Sequence, residues 1–164
     1  MTDAQRKQRN TEKLAELYPT FRERLKKVIT DMEARGYHPR IQDAYRSPED
    51  QMKAYNAGNS KLKFGFHNVT GANGAKESLA VDMLDDDFPL NSRKEYLLNL
   101  ADACQKQGLN SGIRWGLPPA LQKTIDDAIA AKDWKKDIKI GWDPTHIEPV
   151  GMTATDAKNG KRPS

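Results

Sequence analysis

The sequence predicts an α+β domain, and three observations lead to that expectation. Apolar residues recur at helical spacing in several segments, short stretches between them read as strands, and 164 residues suffice for one core but not comfortably for two. The strand candidates are Arg40–Tyr45, Leu79–Leu84 and part of Gly141–Pro149, with Ile113–Gly116 as a further short strand or turn. We expect a single domain over residues 1–152 and a mobile polar tail over 153–164.

Taken in order, residues 3–17 read as a mostly polar helix that Pro19 breaks. Thr20 with Glu23 forms a capping-box signature for a second helix, where Phe21, Leu25, Val28, Ile29 and Met32 share one face and Gly36 marks the end. RIQDAY (40–45) follows as a strand with Ile41 facing inward. Ser47 and Pro48 supply a cap and a first-turn proline for a helix over 48–56, which leaves Arg46 at a strand-to-helix corner. Residues 57–77 are rich in Gly, Asn, Ser and Lys, an irregular stretch long enough to be functional or disordered. After the Leu79–Leu84 strand, Asp85, Asp86 and Asp87 read as a solvated strand-end turn, lacking the spacing of a calcium loop. Ser92 with Glu95 opens a helix running to about Gln107, stopped by Gly108. Pro118–Lys132 reads as another, with Leu121, Ile125 and Ile129 in register.

Composition excludes several classes. No run of apolar residues is long enough to span a bilayer, and the polar N-terminus shows no secretory signal. The single cysteine, Cys104, permits neither an internal disulfide nor a thiolate metal cluster, and its helical spacing marks it as a small core residue. A net charge of +4 suits an acidic partner, such as nucleic acid or an anionic cell-wall polymer or peptide. The basic residues are scattered, with no aromatic-interleaved stripe of the kind that marks a nucleic-acid groove.

The chemistry-bearing residues are few. Any metal must be held by His, Asp or Glu. His146 stands between Asp143 and Glu148 in GWDPTHIEP; if the segment is extended, His146 and Glu148 share a face, and a turn at Asp143-Pro144 folds the third group back. Asp82 lies inside an apolar strand, where a carboxylate must be paired, protonated or metal-bound. His67, His146 and Asp82 would satisfy a three-ligand zinc site that leaves a fourth position for water. The alternative is that Asp82 pairs with Arg46 or Arg114 and the histidines are incidental. His38 has no such company and reads as a surface residue.

The order of AYRSPEDQ, then His67, then AVDM, then RWG, then WDPTHIE resembles the LAS-type zinc peptidases from about Tyr45 to Pro149. Within that group it is most similar to the peptidoglycan L-alanyl-D-glutamate endopeptidases of phage lysis systems and to D-alanyl-D-alanine carboxypeptidases. The resemblance implies a small antiparallel sheet carrying a zinc site and packed against several helices. It also implies Zn2+ on His67, Asp82 and His146, with Asp143 as general base and Glu148 orienting the metal site from behind the ligands. Arg46 would contact substrate and polarise its carbonyl, with Gln51 supporting it in substrate binding. Peptidoglycan stem peptides are the implied partner, and a monomer is expected. The aspartate base and the H-I-E ending favour the endopeptidase branch.

Two departures stand out. His67 and Asp82 are fifteen residues apart where the family usually has seven, and Gly65 occupies a position usually held by serine. The segment 117–134 is also longer than usual and is a candidate lid or wall for the groove. Without a signal peptide, delivery to the wall would need a holin or a secretion apparatus. A wall-binding module with structural zinc and a basic nucleic-acid binder are the competing classes.

Overall fold

The computed structural model describes all 164 residues, Met1–Ser164. Six helices and four strands follow one another as α1 (Asp3–Leu14), α2 (Pro19–Ala34), β1 (Pro39–Asp43), α3 (Pro48–Asn56), β2 (Val81–Asp85), α4 (Lys94–Lys106), β3 (Leu109–Gly112), α5 (Pro119–Ala130), β4 (Asp143–Pro149) and α6 (Ala154–Lys158). The strands form one antiparallel sheet in the order β1-β2-β4-β3, so the architecture is α+β as expected. No helix is long and apolar enough to cross a membrane.

Alternation along the strands divides the sheet into two faces. Val81 and Met83 of β2 and Ile147 of β4 are fully buried in a 31-residue core shared with α2 and α4. The residues between them, Asp82, His146 and Glu148, turn to the opposite face, because strand side chains repeat every two residues. The outer edge of β1 is covered by α1. The Asn10 amide donates to the Pro39 carbonyl and accepts from the Ile41 N–H, while Arg9 donates to the Ile41 and Gln42 carbonyls. A mostly polar helix is thus held by satisfying a strand edge that would otherwise be unpaired.

Several local expectations shift. Helix α2 begins at Pro19, with Tyr18 as a cap lacking a side-chain bond; the Thr20 hydroxyl instead donates to the Pro163 carbonyl. Helix α4 begins at Lys94, and Ser92 spends its hydroxyl accepting from the Asp85 N–H. Ser47 caps α3 as read, accepting from the Asp50 N–H. Ile113–Gly116 is a turn, and the strand β3 lies just before it at Leu109–Gly112.

The aspartate triplet is a correction of substance. Asp85 is buried and paired with the Arg93 guanidinium at 2.8 Å, and Asp86 is nearly buried between Arg40 at 3.0 Å and Arg6 at 3.6 Å. Only Asp87 is open, facing His38. Compensating arginines come from α1, β1 and the start of α4, so no local pattern around 85–87 announces them. Residues 153–164, read from sequence as a loose tail, carry α6 and dock. Arg162 pairs with Glu77 at 3.0 Å, Ala157 is buried, and Arg24 donates to the Ser164 oxygen.

Candidate metal centre and cleft

Three separate segments bring donor atoms to the open face of the sheet. Asp82 and His146 are direct neighbours across β2 and β4, a pairing fixed by the same register that sets Val81 against Ile147 in the core. His67 arrives from a single helical turn at Phe66–Asn68. That turn is pinned by Asn68, whose side chain accepts from the Gly65 N–H and donates to the Arg46 carbonyl, and by the Arg46 N–H donating to the His67 carbonyl.

The hydrogen bonds behind the two imidazoles decide which nitrogens face inward. His67 Nδ1 lies 2.6 Å from the Ala44 carbonyl, which can only accept, so Nδ1 donates outward and Nε2 is the nitrogen that faces Asp82, at 3.3 Å. His146 Nε2 donates to the Glu148 carboxylate at 2.8 Å, leaving Nδ1 facing Asp82 at 3.6 Å and Asp143 at 3.9 Å. Both rings therefore have the outward hydrogen bond that fixes a ligating tautomer. Ligand atoms of His67, Asp82 and His146 all lie within 4.8 Å of one another.

Three carboxylates crowd these two imidazoles. Burial pushes the Asp82 carboxyl up, but the facing His146 and His67 rings overcome this and hold it well below the usual range. Burial likewise opposes charge on His146, yet Asp82 and Glu148 raise the ring to about 9. Asp143 is raised, first by burial and then by the nearby Asp82 charge. Converging nitrogen and oxygen lone pairs set in excess negative charge fit a zinc-sized divalent cation.

The centre opens into a cleft of about 660 Å³. Arg46 lines it at the strand-to-helix corner; its guanidinium touches Gln51 at 3.3 Å and has no carboxylate within 4.0 Å. Gln51 is buried, and its amide donates to Ser60 and the Leu62 carbonyl, so it ties the Arg46 side chain to a loop that also lines the cleft. Asp82 pairs with neither arginine named in the alternative, since Arg114 is engaged by Asp126. Segment 117–134, the candidate lid or wall, contributes no lining residue: α5 packs beside α4. Cys104 is fully buried, and burial pushes its thiol far up, consistent with a core side chain.

Sequence reasoning missed the aromatic wall. Trp115 and Trp142 line the cleft with Leu62 and Phe64, and Trp115 lies with its ring 4.9 Å from that of His146. Both tryptophans sit inside motifs already singled out, RWG and GWDPTHIEP, and their rarity was the available signal. Asp43 also lines the cleft, brought opposite Asp82 by a register shift after Ile41.

No protein-family model matches the sequence, and no curated protein is similar to it. Among solved structures, the chain is similar to the L-Ala D-Glu endopeptidase ChiX of Serratia marcescens, with 18% identity and a TM-score of 0.47 over 87% of this chain and 86% of that one. It is also similar to the vancomycin-resistance D,D-pentapeptidase VanY from a VanB-type cassette, determined with Zn(II), with 18% identity and a TM-score of 0.43 over 85% and 74% of the two chains.

Proposed function

We propose that the chain is a zinc-dependent peptidase of peptidoglycan stem peptides, and specifically an L-alanyl-D-glutamate endopeptidase. The observation that supports this most is the constellation at the head of the cleft. Two imidazoles and Asp82 present their ligand atoms to one point, Glu148 backs one ring, and Asp143 stands beside the same point without being needed as a ligand. A structural metal site would have no use for that extra carboxylate or for an unpaired arginine in the same cleft.

His67, Asp82 and His146 would hold the zinc, which supplies a Lewis acid able to acidify water and polarise a carbonyl. Asp143, partly desolvated and raised, takes a proton from the attacking water as its oxygen bonds to the scissile carbonyl carbon. The Arg46 guanidinium donates to the carbonyl oxygen as negative charge gathers there, and Gln51 holds it in position. Asp143 then returns the proton to the departing amine as the C–N bond breaks, giving a carboxylate and an amine. The place of action would be the bacterial cell wall.

Digestion of purified sacculi, followed by mass spectrometry of the soluble fragments, tests the reading. The expected result is new peptides beginning at D-glutamate, abolished by chelator and restored by zinc. Release of terminal D-alanine alone would move the protein to the carboxypeptidase branch. Zinc-loaded protein that binds sacculi and frees nothing would make it a binding module.

A further inference from the structure

We propose that Trp142 is a stacking platform for the sugar ring that carries the stem peptide; this rests on the endopeptidase reading above. The indole is 73% exposed although tryptophan is among the residues water least favours, and it stands at the cleft rim directly before Asp143 in the chain. It is held there by the fold. The Trp142 backbone N–H donates to the Trp115 carbonyl at 3.1 Å, and the two indoles meet tilted at 46° with centroids 5.7 Å apart. Gly116 has φ +79°, and a Cβ there would come within 2.9 Å of the Trp142 ring, so a larger residue would displace the indole. Rings of His146, Trp115 and Trp142 therefore form a continuous wall running outward from the metal centre.

The occupant follows from where the cut falls. In a peptidoglycan stem, the L-alanine nitrogen is acylated by a lactyl group whose ether oxygen joins the muramic sugar, so an L-alanyl-D-glutamate bond at the centre leaves that sugar one alanine and one lactyl group away. Together these span about 7 Å of extended chain, comparable with the wall of rings, whose successive centroids lie 4.9 and 5.7 Å apart from His146 out to Trp142. A pyranose ring has an apolar C–H face and a hydroxylated edge; an indole covers the face and leaves the edge in water. A carboxypeptidase cutting the far end of the stem would hold the sugar several residues off, beyond reach of this wall.

The test is binding, measured on full-length metal-stripped protein so that no turnover intervenes. Intrinsic tryptophan fluorescence is titrated with N-acetylmuramoyl-L-alanyl-D-isoglutamine and, separately, with L-alanyl-D-isoglutamine. We expect saturable perturbation by the sugar-bearing ligand at about tenfold lower concentration. Trp142→Ala should erase that preference and Trp142→Phe should retain part of it, with circular dichroism and zinc uptake showing both variants folded. Equal affinity for the two ligands, or a preference that survives in Trp142→Ala, overturns the platform. Digestion of sacculi with no sugar preference would sink the platform and leave the peptidase standing. Sugar preference without any hydrolysis would do the reverse.

Discussion

Asp143 and Glu148 flank the same histidine but have different tasks in the proposed mechanism, proton acceptor and ring orienter, and substitution should separate them. Asp143→Asn keeps the volume and removes the proton acceptor. Zinc stoichiometry should stay unchanged while hydrolysis of sacculi falls by about 10²-fold or more, read as fragment release over time. Glu148→Ala removes the acceptor that sets the His146 tautomer at 2.8 Å. Competition with a chelating dye should show zinc affinity weakened by about 10- to 100-fold. The carboxylate-histidine-carboxylate grouping was legible in the sequence because its members lie within six residues. The partner of His67 Nδ1 was not: the Ala44 carbonyl is a backbone atom, and any residue type could have supplied it.

At the scale of elements, the strand end that carries Asp143 depends on close backbone approach. Gly141 packs so tightly that an added Cβ would lie 2.6 Å from the Ile113 oxygen and the Trp115 nitrogen. Gly141→Ala should lower stability by about 1–3 kcal/mol, seen as an earlier thermal melt, and should slow hydrolysis by displacing Asp143. The β2–α4 connection is secured differently, by the buried Asp85 and its arginine. Arg93→Ala strands that carboxylate and should cost about 2–3 kcal/mol in denaturant unfolding, with zinc binding unaffected. Helices α2, α3 and α4 were visible from apolar spacing and punctuation. Caps at Thr20 and Ser92 misled because their hydroxyls are taken by distant partners, Pro163 and Asp85.

For the whole molecule, the metal centre ties stability to pH. In metal-free protein the folded state holds His146 at about 9, above its ordinary value of 6.5. A raised pKa stabilises the fold fully below 6.5, and the contribution fades as pH climbs through 9, because the native state then binds more protons than the unfolded chain. Thermal melts of chelator-treated protein should therefore fall between pH 6.5 and 9. Zinc-loaded protein should not follow that decline, since bound metal takes the place of the proton on the ring. Parallel melts of the two forms would check this, and coincident curves would refute it.

Patterns confined to one segment determined what the sequence could tell: the core faces of α2 and α4, the period of two that puts His146 and Glu148 on one face, and the punctuation at Ser47 and Gly108. Such signals arise from neighbours two to four positions apart, so they survive in a one-dimensional reading. Pairing Asp82 with His146, burying Asp85 and Asp86 among arginines, docking the last residues and setting α5 away from the cleft belonged to the tertiary structure. These depend on strand register and on charges contributed by remote segments, and the free energy that selects them exists only once the sheet and its helices have come together.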